Sequence, residues 1–158
     1  MKKEVTNVMR LLEGKKIPFE SYDYSKTPTT NGEEIASILG QNPHQVFKTL
    51  VTVGKSGSHY VFVVPVCDTL NLKKAAKSVG EKSIEMIKQK ELLPLTGYVH
   101  GGCSPIGMKK FFTTTIDQTA KDFPTIIFSA GRIGYQVELS LENLSKIIKF
   151  NLYDITDL

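Results

Sequence analysis

Lys48 sits in Val46-Phe47-Lys48-Thr49-Leu50-Val51-Thr52-Val53, a β-branched run that reads as a mostly buried strand. Taking an ammonium out of water is expensive unless an anion meets it. A lysine there therefore marks a ligand site, or else an edge strand from which the side chain snorkels into solvent. Two glycine-rich stretches could line the same cleft. In Gly101-Gly102-Cys103-Ser104-Pro105-Ile106-Gly107, glycine lets main-chain N–H groups approach a phosphate, or the oxyanion of a tetrahedral intermediate, with no Cβ in the way. A plain structural turn has the same composition, and the pattern is neither a P-loop nor a dinucleotide fingerprint. Ser129-Ala130-Gly131-Arg132-Ile133-Gly134 follows an apolar strand, and small residues at a strand end commonly floor a ligand cleft. Arg132 is either a forked binder of phosphate or carboxylate, or a solvated surface charge.

Cys103 invites a thiol-hydrolase reading, with His100 three residues before it. Sequence adjacency is poor support for a catalytic pair, and no local signature surrounds Cys103. Replacing Cys103 with alanine is expected to leave most of any hydrolytic activity intact. Ser104 and Ser129 as nucleophiles meet the same objection, since neither lies in Gly-x-Ser-x-Gly. Cys67 and Cys103 form no disulfide framework and no metal-ligand spacing, so no metal is expected.

The elements that must position these residues follow from periodicity. Helices are predicted over 3–14, 33–39, 70–78, 83–91 (ended by Pro94) and 141–149, the last capped by Ser140. Asn71 or Asp68 caps the third, whose Lys73, Lys74 and Lys77 form a basic face. Strands are predicted near 47–53, 59–66, 110–115, 125–129 and 135–139, with 17–24 extended. Gly54-Lys55-Ser56-Gly57-Ser58 signals a hairpin, and 25–32, with Pro28, reads as a loop.

Strands and helices intermix without a strict βαβ rhythm. That favours an α/β (α+β) fold with a mixed, mainly antiparallel curved sheet flanked by helices, as a single domain over residues 1–158. At 158 residues the chain can bury one core. Twenty basic against sixteen acidic residues leave +4, which permits a nucleic-acid partner without demonstrating one. No apolar run reaches membrane-spanning length, and no signal-peptide core follows Met1-Lys2-Lys3-Glu4. The expectation is a cytoplasmic protein with reduced thiols.

Phe47-Lys48-Thr49-Leu50, then Leu70-Asn71-Leu72-Lys73-Lys74-Ala75-Ala76-Lys77-Ser78, then Thr96-Gly97-Tyr98 before the first glycine loop, then Ser129-Ala130-Gly131-Arg132, closely resemble the YbaK/EbsC family. This is the prolyl-tRNA editing branch whose members act on cysteinyl-tRNA(Pro). The resemblance runs in order over nearly the whole chain. It implies a free-standing trans-editing deacylase, with no cofactor, that hydrolyses the ester between a wrongly attached amino acid and the 3′-terminal adenosine of tRNA. Lys48 would hold the tRNA 3′ end, and a main-chain donor at Gly101 or Gly102 would meet the oxyanion. Tyr22, Thr49, Gly102, Ser104, Pro105, Ser129, Gly131 and Arg132 would bind substrate, with Tyr22 and Tyr24 exchangeable in register. The nucleophile would belong to the substrate: the cysteine thiol, or a water assisted by the terminal ribose hydroxyl.

The implied protein partner is prolyl-tRNA synthetase, because so small a domain has little surface for reading a whole tRNA. Relatives can carry an acid where this chain has Gln136. Glu138 is nearby and is taken to lie on the opposite strand face. Ala130 stands in place of a glycine, tolerable if its φ is negative. Two other readings compete: an editing domain specific for alanyl-tRNA(Pro), and a non-catalytic tRNA- or synthetase-binding module using the basic helix.

Overall fold

The computed structural model describes residues 5–27 and 29–157. Met1 to Glu4 and Pro28, which entered the sequence reading through the N-terminus, the first helix and the loop, lie outside the described residues. Helix α1 (Asn7–Gly14) begins at Thr6, whose hydroxyl accepts the Met9 N–H at 3.2 Å, and buries Val8, Met9 and Leu12. Strand β1 (Glu20–Asp23) follows. Helix α2 (Gly32–Leu39) is capped by Asn31, whose Oδ1 accepts the Glu34 N–H at 3.1 Å, and is closed by left-handed Gly40.

Strands β2 (Phe47–Gly54) and β3 (His59–Pro65) form the expected hairpin. β3 is buried on both faces, as a central strand should be. Val61 and Val63 enter the main core. Phe62 and Val64 enter a smaller core shared with Ala75 and Ala76 of helix α3 (Leu72–Val79). Asn71 caps α3, its Oδ1 accepting the Lys74 N–H at 2.9 Å.

Around this hairpin lie β4 (Ile84–Met86), β5 (Thr113–Asp117) and β8 (Asn151–Tyr153), giving a sheet in the order β4-β2-β3-β5-β8. Its β2 pairings are antiparallel and its β5 pairings parallel. A smaller antiparallel sheet has the order β1-β7-β6, from β6 (Ile126–Ser129) and β7 (Tyr135–Leu139). A parallel bridge between Val46 and Ile127 joins the sheets. The mixed, mainly antiparallel α+β architecture is thus present, divided into two sheets. No helix among the described residues is long and apolar enough to cross a membrane.

Three expectations need correction. Residues 84–86 are not helical: Ile84, Glu85 and Met86 pair with Gly54, Val53 and Thr52 of β2. An open strand edge outweighs the ambiguous period of a short apolar run. The helix begins later, as α4 (Gln89–Thr96), with the Lys88 N–H donating to the Glu91 carboxylate at 3.1 Å. Pro94 lies inside it, where it removes a single intrahelical bond. The Thr96 hydroxyl stitches that last turn by donating to Leu92 O at 2.8 Å. Finally, the terminal helix is a single turn, α5 (Leu141–Leu144), capped by Ser140. The chain leaves it for β8, whose three exposed residues carry no alternation to read.

Candidate functional site

A cleft of about 370 Å³ opens where the two sheets meet. β4 covers β2 only from Thr52 to Gly54. The half of β2 that carries Lys48 and Thr49 therefore has β3 on one side and no strand of its own sheet on the other. The cleft meets this uncovered edge, so Lys48 and Thr49, on opposite faces of the strand, both line it. The uncovered strand edge and the cleft are the same place.

Lys48 is half-buried, and its ammonium has no ion pair or hydrogen bond among the described residues. Thr49 Oγ1 is buried without a hydrogen-bond partner. Such an orphan costs about 1–3 kcal/mol, a penalty that a ligand relieves when it supplies the missing partner.

Two loops floor the cleft, and Tyr98 ties them together. Its hydroxyl donates to Ile106 O, closing the first loop, while its N–H donates to Thr96 Oγ1 at 3.0 Å. Burial pushes the Tyr98 hydroxyl up to about 12. Gly101, with φ +88°, lines the cleft, and its N–H has no acceptor among the described residues. Gly102 differs: its N–H donates to Val99 O at 3.0 Å. A Cβ on Gly102 would stand 3.1 Å from Ile133 N, so this glycine is where the loops touch. Ser104 and Pro105 are buried behind the lining, with Ser104 Oγ accepting the Ile106 N–H at 3.3 Å.

In the second loop Ser129 lines the cleft, and its Oγ accepts the Gly131 N–H at 3.1 Å. Gly131, with φ +89°, packs beneath it. A Cβ there would meet Val8 Cγ2 at 2.9 Å and Tyr98 Cε1 at 3.0 Å. Arg132 is exposed outside the lining, its guanidinium 5.4 Å from the centre of the Tyr135 ring. Ala130 is not among the residues with positive φ, so its Cβ is accommodated.

Of the site residues read from sequence, Lys48, Thr49, Gly101 and Ser129 thus share one cleft. Gly102, Ser104, Pro105, Gly131 and Arg132 lie outside its lining, the glycines shaping the loops that form it. Tyr22 also lies outside, and Tyr24, two residues on, takes its place. The Tyr22 hydroxyl donates to Glu138 Oε1. That hydrogen bond, then burial, then the carboxylate charge raise it to about 12.

This pairing corrects the placement of Glu138. Residues two apart on a strand share a face, so Glu138 lies on the same side as Gln136. It stands one step further along, held by Tyr22 and by the Thr125 hydroxyl. Gln136 itself lines the cleft at 4% exposure, its Oε1 accepting from Gln41 Nε2 at 2.8 Å. The lining also holds Thr30, Asn31 and Glu33, which sequence reasoning left out, and His100, which it weighed only as a partner for Cys103. The first three come from the loop before α2 and its first turn, where no periodicity marks an inward face. Cys103 lines the cleft, but burial pushes its thiol up to about 12. At neutral pH it is a protonated thiol and a poor nucleophile.

Two comparisons with known proteins, a family model and a curated relative, point to one family. Residues 26–147 match the model of the aminoacyl-tRNA editing domain. The chain is 41% identical over 152 residues to EbsC of Enterococcus faecalis, to which Cys-tRNA(Pro)/Cys-tRNA(Cys) deacylase activity is ascribed. That alignment covers 96% of this chain and 93% of the relative. Among solved structures, one ascribed to a trans-editing enzyme for prolyl-tRNA synthetase superposes with a TM-score of 0.81 at 22% identity, covering 98% of this chain and all of the other. The hypothetical protein APE2540 superposes with a TM-score of 0.87 at 21% identity, covering 96% of this chain and all of the other. At such identities these two structures speak for the fold alone. The family match and the long 41% alignment go further: this chain belongs to the aminoacyl-tRNA editing domain family.

Proposed function

We propose that the protein is a trans-editing deacylase that clears cysteine from mischarged tRNA(Pro), using the cleft beside Lys48 to grip the aminoacylated 3′ end. The observation that carries this reading is the set of unmatched polar groups on one cleft: the Lys48 ammonium, the Thr49 hydroxyl and the Gly101 N–H. A polyanionic substrate supplies the counterion that Lys48 lacks. Ester cleavage develops negative charge on the carbonyl oxygen, and the Gly101 N–H is the main-chain donor free to meet it. A donor of that kind typically contributes about 3 kcal/mol. Glu33 is the single carboxylate among the described lining residues and is the acceptor for the α-ammonium of the amino acid.

The cleft, near the lower end of ordinary small-molecule sites, suits an aminoacyl-ribose terminus. The ester is already activated, so positioning supplies much of the barrier reduction. In the reaction, the cysteine sulfur attacks its own carbonyl carbon and the C–S bond closes a cyclic thioester. The ester C–O bond breaks, and the thiol proton ends on the departing ribose oxygen. No protein nucleophile is required, which fits the protonated state of Cys103. Prolyl-tRNA synthetase is the partner that would deliver the tRNA.

The test is a deacylation panel of cysteinyl-, alanyl- and prolyl-tRNA(Pro) with protein well below tRNA in concentration. Multiple turnovers on the cysteinyl ester are expected. Stoichiometric binding without ester loss would make the protein a tRNA-binding module, and preference for the alanyl ester would reassign the substrate.

A further inference from the structure

Beside the cleft, two turns bring three metal-ligating side chains together. His44 lies in the turn before β2, where its N–H donates to Asn42 Oδ1 at 2.9 Å. Cys67 and Asp68 lie in the turn after β3, where the Asp68 N–H donates to Pro65 O at 3.0 Å. The Val66 N–H donates to Val46 O at 2.8 Å and fixes one turn against the other. As a result Cys67 Sγ stands 3.4 Å from His44 Nδ1 and 4.0 Å from Asp68 Oδ1. The ligand atoms of all three lie within 4.8 Å of one another.

We propose that His44, Cys67 and Asp68 form a binding site for a zinc-class divalent cation at the Lys48 end of the cleft. In a tetrahedral site with Zn–S near 2.3 Å and Zn–N near 2.0–2.1 Å, sulfur and nitrogen stand about 3.5 Å apart. The Cys67–His44 separation already meets that edge, and Asp68 needs a small rotation to close the third position. Thiolate with imidazole selects zinc-like ions over magnesium and calcium. Three protein ligands leave a fourth position to water. On binding, Cys67 coordinates as the thiolate and its proton passes to solvent.

The ion would cross-link the turns that frame one end of the cleft, next to Val66, which lines it. Chain spacing conceals the site, because His44 and Cys67 are 23 residues apart. It requires nothing of the editing chemistry and stands or falls separately from it.

The test uses the full chain, stripped of metal with a chelator. Zn²⁺ and Mg²⁺ binding are followed by calorimetry, and Co²⁺ binding by its thiolate charge-transfer absorption. Expected is a single equivalent of Zn²⁺, no Mg²⁺ uptake, and a Co²⁺–thiolate band. Cys67→Ser and His44→Ala each weaken binding by more than roughly 100-fold, beyond the 10- to 100-fold typical of outer-shell changes. Added Zn²⁺ raises the melting temperature of the parent chain and leaves Cys67→Ser unmoved. Far-UV circular dichroism confirms that both variants fold. No Zn²⁺ uptake by the parent chain overturns the proposal. So does uptake that survives both substitutions, or a Co²⁺ band lost in Cys103→Ala in place of Cys67→Ser.

Discussion

The two halves of β2 carry the same kinds of residue and treat them in opposite ways. In the covered half, Thr52 is fully buried between β3 and β4, and its hydroxyl donates to Tyr60 O at 2.9 Å. Three residues earlier, in the uncovered half, Thr49 keeps an orphan hydroxyl beside a lysine that has no ion pair among the described residues. Buried polar groups in folded proteins are almost always satisfied. One strand satisfies a threonine at one end and leaves another unmatched at the other, and under the proposed function the unmatched end is the part a bound substrate would complete. The two ends should therefore respond differently to substitution, one through activity and the other through stability.

Lys48→Ala is the sharpest way to break this contrast. Turnover on cysteinyl-tRNA(Pro) should fall by at least about 100-fold, in the range for removing a preorganised electrostatic group, with the melting temperature little changed. A variant that melts early but turns over normally in its folded fraction would make Lys48 structural. Gly101→Ala comes next. Its φ of +88° costs a non-glycine residue about 1–2 kcal/mol, and the displaced N–H should lower turnover by roughly 10-fold in a single-turnover assay.

The paired threonines give a third, crossed test. Thr49→Val should leave stability level or slightly higher, since it deletes an orphan, while raising KM for the aminoacyl ester. Thr52→Val should cost about 1–2 kcal/mol in chemical denaturation and leave KM alone. Equal effects on both properties at both positions would erase the distinction between the halves.

The smallest effect lies at alkaline pH. In the fold Tyr22 keeps its proton to about pH 12, against an ordinary value of 10.0. The native chain then binds more protons than the unfolded chain between those limits, so stability falls as pH rises from about 10 to about 12. Tyr98 contributes to the same window. Tyr22→Phe should flatten part of that fall in thermal melts at pH 10–12, without changing turnover near neutrality.

Much of this arrangement is legible in the sequence, for physical reasons. The hairpin, the Asn71 and Ser140 caps and the β-branched run around Lys48 depend on local chemistry, and local chemistry is written in adjacent residues. Lys48, Thr49, Gly101 and Ser129 were readable as a group because their motifs resemble those of a known family. What stayed hidden depends on distant partners. Ile84–Met86 become a strand because β2 offers an edge, not because of their own period. Tyr24 displaces Tyr22 because the β1–β7 register gives Tyr22 to Glu138. The roles of Gly102 and Gly131 turn on which side chains approach them, and composition does not encode that.

Strand β8 has a consequence for how the molecule is made. Asp117 is 1% exposed, and its Oδ1 accepts the Ile155 N–H at 3.1 Å, 38 residues downstream. Ile155 is itself fully buried, and Lys74 Nζ reaches Asp154 and Thr156 O from α3 at 3.1 and 2.8 Å. While the protein is still emerging from the ribosome, its parallel outer layer has no mate and the Asp117 carboxylate lacks one of its donors. The larger sheet is completed only after residues 151–156 leave the exit tunnel, so the local hairpin around Lys48 forms before β8 is added at the β5 edge.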